Sequence, residues 1–245
     1  MNYILLASGS KGNCFYLREK DTQIIIDCGT TYKYIKENLL EENINVKTID
    51  GLFITHQHVD HIRCLNSFKD VKKYGVFSNE SIERLQPYEN YQFKDLTITP
   101  ISLSHDKLDA CGYIIESDNE KLVYITDTGY LNQKNIECIK DANYYIFESN
   151  HDPLMLMQTE RPHYVKKRIV SDEGHLSNEQ CSNYLCKVVG DNTKEITLAH
   201  ISEQGNTQKL AYNYLLNEFN NKGIDVNKIN IQVGKQFGKI CGGKR

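Results

Sequence analysis

Short apolar runs bounded by Gly, Asn, Asp and Ser alternate along the chain with longer stretches of helical periodicity. The runs at 2–7, 14–18, 23–26 and 51–54 read as strands. So do 75–77, 88–93, 96–103, 111–115, 121–125, 144–147, 195–199 and 228–233. Thr30 or Thr31 can cap a helix whose apolar face is Tyr32, Ile35, Leu39 and Leu40. Helical patterns also cover 64–73, 79–85 (capped near Ser78), 131–140 and part of 153–171. Ser177 and Gln180 make a capping-box pattern before a helix that turns Cys181, Tyr184, Leu185 and Val188 to the core. Thr207 caps another, with Leu210, Ala211, Tyr214, Leu215 and Phe219 inward, and Gly223 stops it. Such alternation indicates an α/β layered fold. The adjacent strands within 88–126 fit a sandwich of mixed sheets better than a doubly wound parallel sheet. No internal repeat or linker-like segment interrupts the pattern, so residues 1–245 are expected to form one domain, with two βα halves in pseudo-twofold relation compatible with the strand spacing.

A chain of 245 residues can bury one sizeable core. Its net charge of −3 gives no global footprint for nucleic acid, so any such contact must be local. The first residues lack the basic region and long apolar run of a signal peptide, and no stretch reaches the roughly 20 apolar residues of a membrane span. The cysteines at 14, 28, 64, 111, 138, 181, 186 and 241 form no C-x-x-C, which reads as buried free thiols in a reducing cytoplasm.

Candidate chemistry gathers where strands end. The strand 51–54 runs into Thr55, His56, Gln57, His58, Val59, Asp60 and His61. His56 and His58 are two apart and point the same way in an extended backbone. Imidazole and carboxylate are the ligands that zinc and similar ions select. One loop can therefore serve two metals, His56 and His58 on the first, Asp60 and His61 on the second. Asp27 ends an earlier buried strand, where a carboxylate needs partners. The loop can supply them, which places Asp27 behind the ligands. Downstream, His105, Asp127, Glu148 and His200 each follow a strand, and His175 precedes a helix. Alone, each has an ordinary reading as a satisfied histidine or a turn carboxylate. Residues 8–13 fit a hairpin connection, and also an anion-binding loop in which Ser10 and Asn13 would meet substrate. The segment 153–171 combines Met-rich apolar surface with Arg161, Lys166, Lys167 and Arg168. It reads either as a solvated basic face or as a cap that meets an anionic backbone through Lys166 and Arg168.

The loop spacing resembles that of the metallo-β-lactamase superfamily, and His105 stands where its third histidine belongs. The resemblance implies an αββα sandwich, two mixed β-sheets packed face to face with helices outside. It also implies a dinuclear centre. His56, His58 and His105 would hold one metal, Asp60, His61 and His200 the other, and Asp127 would bridge them. Two such cations can share a hydroxide that attacks phosphorus or a carbonyl. In tRNA-processing members a glutamate after a strand and a histidine before a helix act near the leaving group. Glu148 and His175 look similar, and with Asp60 they make the expected catalytic set. Zn2+ suits the histidines, while the carboxylates admit Mn2+ or Fe.

Segments 8–13, 55–61, 126–130, 148–152, 167–169 and 174–178 together resemble the bacterial WalJ/YycJ (VicX) family along nearly the whole chain. That resemblance implies a cytoplasmic hydrolase with DNA exonuclease activity, 5′-to-3′ on double-stranded DNA, with no membrane partner. It also brings His151 into the site. Val59 and Arg63 depart from residues common in related members, without bearing on ligation. Two other readings stay open. Near-neutral net charge suits a small-molecule (cyclic) phosphodiesterase, and the family's link to cell-wall regulation suits a protein that binds metal or a partner without hydrolysis.

Overall fold

The computed structural model describes residues 1–244. Strands β1 (Asn2–Ala7), β2 (Cys14–Glu19) and β3 (Thr22–Ile26) lead to α1 (Tyr32–Glu41) and β4 (Gly51–Ile54). Then come α2 (Val59–Ile62), β5 (Lys72–Gly75), β6 (Glu83–Arg84), β7 (Tyr91–Phe93), β8 (Leu96–Ser102) and β9 (Cys111–Glu116). Next are β10 (Lys121–Ile125), α3 (Gln133–Cys138), β11 (Tyr144–Glu148), α4 (Pro153–Gln158) and α5 (His163–Ile169). The chain closes with α6 (Asn178–Val188), β12 (Glu195–Ala199), α7 (Gln208–Asn221), β13 (Asn230–Val233) and β14 (Phe237–Gly243). Two mixed seven-stranded sheets result, so the expected α/β class holds. Two compact units interleave in sequence. The first takes Met1–Ser102, Lys107–Asn119 and the chain from Lys235 onward, the second Leu103–Asp106 and Glu120–Gly234.

In the first unit the sheet order is β14-β1-β2-β3-β4-β5-β6. Alternation along its strands sends side chains to two different covers. Leu52 and Ile54 join Ile4, Leu6, Tyr16 and Ile25 in a core shared with Ile35 and Leu39 of α1. Phe53, between them, faces the opposite way. It stacks on Tyr74 and meets Phe93 and Tyr113 of the β7-β8-β9 meander edge-on. Thr31 caps α1 by accepting from Tyr34 N–H, while Leu40, expected on the apolar face, is exposed.

Three local expectations are corrected. Residues 64–73 do not form a helix. The α-helical turn α2 starts inside the histidine loop and ends at Ile62, and Cys64 N–H donates to the Cys28 carbonyl instead of extending it. Residues 79–85 are not helical, because Asn79 Oδ1 accepts from Ser81 N–H and closes a turn before β6 pairs with β5. A strand was not expected after 233, yet β14 pairs antiparallel with β1. Its glycines at 238, 242 and 243 diluted the apolar pattern.

In the second unit β10, β11, β12 and β13 run parallel, and nearly every residue of the first three is buried. This is why these segments read as continuous apolar runs. The capping box at Ser177 and the Thr207 cap form as expected. Ala211, Leu215 and Phe219 are the buried face of α7, and Cys181, Leu185 and Val188 belong to that of α6.

Backbone bonds hold the histidine loop in the first unit. Asn13 N–H donates to the Asp60 carbonyl, and Cys28 N–H to that of His61, each at 2.8 Å. Gly29 lies so close that a Cβ there would sit 1.5 Å from the Asp60 carbonyl oxygen. Gly29→Ala therefore forces the loop backbone aside and should cost at least about 2 kcal/mol. At Gly205 a Cβ would find nothing closer than 3.4 Å, so Gly205→Ala should stay within about 0.5 kcal/mol. Denaturant unfolding of the two variants checks the contrast.

Candidate metal centre

Strand register positions the side chains. In the first unit Ile26 of β3 pairs beside Phe53 of β4, so Asp27 and Thr55 emerge together at the carboxyl ends of parallel strands. Asp27 is fully buried and accepts four hydrogen bonds. Thr55 donates its N–H at 2.9 Å and its hydroxyl to both oxygens, and His61 Nδ1 donates at 2.8 Å. Burial raises the Asp27 carboxyl above its ordinary range, and His61 and Thr55 offset only part of that. With His61 Nδ1 on Asp27, Nε2 is the nitrogen turned to the loop, and there it accepts from the Asn13 amide at 2.9 Å. Asp60 Oδ2 stands 3.8 Å from the same nitrogen. His56 Nε2 and His58 Nδ1 approach to 2.9 Å, so the two imidazoles converge as their spacing required.

The second unit repeats the device. Ile125 of β10 pairs beside Phe147 of β11, and Glu148 beside Ala199 of β12. Asp127, Glu148 and His200 thus emerge at neighbouring carboxyl ends, where open parallel sheets place their ligands. Glu148, with no exposed surface, accepts from Thr128 N–H, Leu176 N–H, His175 Nδ1 and His200 Nδ1. Burial pushes its carboxyl up, but His175 and His200 together outweigh that and hold it at about 2. Asp127 Oδ1 is 3.2 Å from His200 Nδ1. Asp127, Glu148, His175 and His200 each bring a ligand atom within 4.8 Å of all the others. His105 Nδ1 faces the Gly174 carbonyl at 3.3 Å, and burial lowers its pKa. His151 is buried too, which pushes its imidazole down to about 4, and its Nδ1 has no hydrogen-bond partner among the described residues.

Asp27, Asp127 and His200 share one backbone feature, φ of 60°, 60° and 55°. Left-handed geometry is uncommon without glycine and marks a corner held by its surroundings. Each corner lies just past the end of a strand, at β3, β10 and β12.

The substrate-contact candidates fall differently. Asn13 is buried, and its amide braces Gly9, Asp60 and His61. Ser10 is exposed. Lys166 Nζ donates to the Met157 carbonyl at 2.7 Å, and Arg168 pairs with Asp106. Two roles escaped the sequence. Thr55 ties Asp27, His56 and His61 through one hydroxyl, and Glu148 holds His200 as well as His175. Thr55 opens the histidine motif and was the one signal available for its role.

Residues 22–201 match the family model described as Beta-lactamase superfamily domain. Exodeoxyribonuclease YycJ of Bacillus anthracis is 31% identical over 242 residues, 92% of each chain. Exodeoxyribonuclease WalJ of Streptococcus pneumoniae is 32% identical over 236 residues, 88% of this chain and 87% of its own. Among solved structures, the metallo-β-lactamase fold protein YhfI from Bacillus subtilis superposes with a TM-score of 0.69 at 15% identity, covering 98% of this chain and 99% of its own. The chain belongs to the β-lactamase superfamily and, within it, to the family of the YycJ and WalJ proteins.

Proposed function

We propose that this metal-dependent hydrolase is an exodeoxyribonuclease that degrades DNA from 5′ to 3′. One observation carries the reading, the buried Glu148 carboxylate holding His175 Nδ1 at 2.8 Å beside Asp127 and His200. Cleaving a phosphodiester expels an alkoxide, which leaves poorly unless it is protonated. An imidazole oriented through Nδ1 by a fixed carboxylate presents Nε2 outward, and once that nitrogen has taken up a proton it can pass it to the leaving oxygen. His175 is the most open histidine of its unit's cluster, with 12% of its side chain exposed against 3% for His200. Its outer nitrogen can therefore meet a leaving oxygen. The names of relatives 31–32% identical over most of the chain point the same way.

The donor set fits divalent metal. Each unit offers imidazoles oriented by a buried carboxylate, the arrangement that fixes tautomer and ring direction in metal sites. On this reading the residues that would hold the cations are His56, His58, Asp60 and His61 in the first unit and His105, Asp127 and His200 in the second. Zn2+ or Mn2+ suits these ligands, and iron is also compatible. Bound there, such ions would activate water and neutralise charge on the phosphate. Asp27 and Thr55 keep His61 aimed, Glu148 aims His200 and His175, and Asn13 holds the loop. His151, buried near His175, is the remaining candidate for a substrate contact.

Asp60→Ala should lower digestion of 5′-phosphorylated, end-labelled duplex DNA by at least about a hundredfold. Equal activity in the variant, or label released from the 3′ end first, argues against the reading. Faster turnover of bis(p-nitrophenyl) phosphate than of any DNA would favour a small phosphodiester instead. Asp27→Ala removes the partner of His61 and should weaken metal affinity about 10–100-fold, measured by competition with a chromophoric chelator.

A further inference from the structure

We infer that the outer face of α5 grips an unpaired nucleic-acid strand, with Tyr164 stacking on a base and Lys167 meeting a phosphate. The inference rests on the phosphodiester-cleaving reading above and names residues that the sequence did not single out for substrate.

Tyr164 is 75% exposed, although tyrosine rings are usually part of a core or an interface. Leu154 and Met157 of α4 are exposed as well, at 75% and 51%. Lys166 Nζ ties the two helices together by donating to the Met157 carbonyl at 2.7 Å. Tyr164 and Lys167 are three apart on α5 and so share a face, and His163 is one turn from Lys167. The helix itself carries three cations in its last turn and no acidic residue in its first. Two of those cations are committed, Lys166 to the Met157 carbonyl and Arg168 to Asp106. Lys167 is exposed and is the one left for a phosphate.

The carboxyl end of α5 borders the chemistry of its own unit. The Ile169 carbonyl, at the end of α5, accepts His175 N–H at 2.9 Å. Arg168 pairs with Asp106, the neighbour of His105. Tyr164 lies five residues before Ile169, about 7.5 Å along the helix axis. Nucleotides next to a scissile bond at His175 would reach it.

The chemistry selects the occupant. An aromatic ring beside a cation is the stacking platform of single-strand binders, tolerant of sequence because every base has a face. A duplex keeps its bases stacked on one another and offers the ring little except at an end. A second copy of this face would set Lys167 and His163 against their own equivalents.

The test is fluorescence anisotropy with a short labelled DNA strand, phosphorothioate-linked against digestion, and Mn2+-loaded protein. Tyr164→Ala should weaken binding about tenfold, while Tyr164→Phe keeps it because the ring remains. With abasic sites replacing the bases, wild type and Tyr164→Ala should bind alike. Lys167→Ala should reduce the slope of log affinity against log salt by about 0.7. Tyr164→Ala binding the normal strand as tightly as wild type overturns the inference, even if the wild type digests DNA. Conversely, a wild type that digests no DNA yet binds strands through Tyr164 retains this surface and loses the nuclease reading.

Discussion

A carboxylate buried at the end of a strand cannot stand alone, and this requirement organises the candidate ligands of each unit. Removing a carboxylate from water is costly unless its lone pairs are met by donors. Asp27 meets its need with Thr55 and His61, and Glu148 with two backbone N–H groups, His175 and His200. In each case a histidine of the site is among the donors. The group that satisfies the fold therefore also fixes an imidazole's tautomer and direction. The opposite pKa directions follow from the same count. One imidazole leaves burial dominant at Asp27, whereas two overcome it at Glu148.

Parallel register is what brings these carboxylates to their histidines. Adjacent parallel strands end at the same level, so residues far apart in sequence emerge side by side, as Asp27 and Thr55 do, and Glu148 and His200. A left-handed corner then swings Asp27, Asp127 and His200 across the sheet edge. Such a conformation costs on the order of 1–2 kcal/mol per residue. At Asp27 the bonds to Thr55 and His61 help hold it, and at His200 the bond to Glu148 does. The fold thus carries local strain at the residues whose aim matters most.

The site is mixed in how legible it was. The histidine motif was plain, because imidazoles two apart in an extended loop share a direction and nothing else explains so many donors together. Glu148 and His175 stood out through resemblance, and the structure pairs them directly. Asn13 and Lys166 were read as substrate contacts; in the structure the Asn13 amide braces the histidine loop and Lys166 Nζ bonds the Met157 carbonyl of α4. A donor's sequence does not say whether its partner is the protein or a ligand. Tyr164 escaped notice for the converse reason, since an aromatic residue in an amphipathic helix is core by default and only exposure distinguishes it.

The sequence by itself determined the local grammar. Period-two and unbroken apolar runs set most strands, cap residues set the starts of α1, α6 and α7, and ligand spacing named the chemistry, since all of these depend on near neighbours. Tertiary structure alone decided the rest. Cys64 bonds to Cys28 rather than extending α2, and Asn79 closes a turn instead of starting a helix. The glycine-rich tail becomes a strand only because β1 offers an edge to pair with. Each outcome turns on a hydrogen-bond partner remote in sequence or on a competing local bond, and apolar periodicity carries no record of which partner wins.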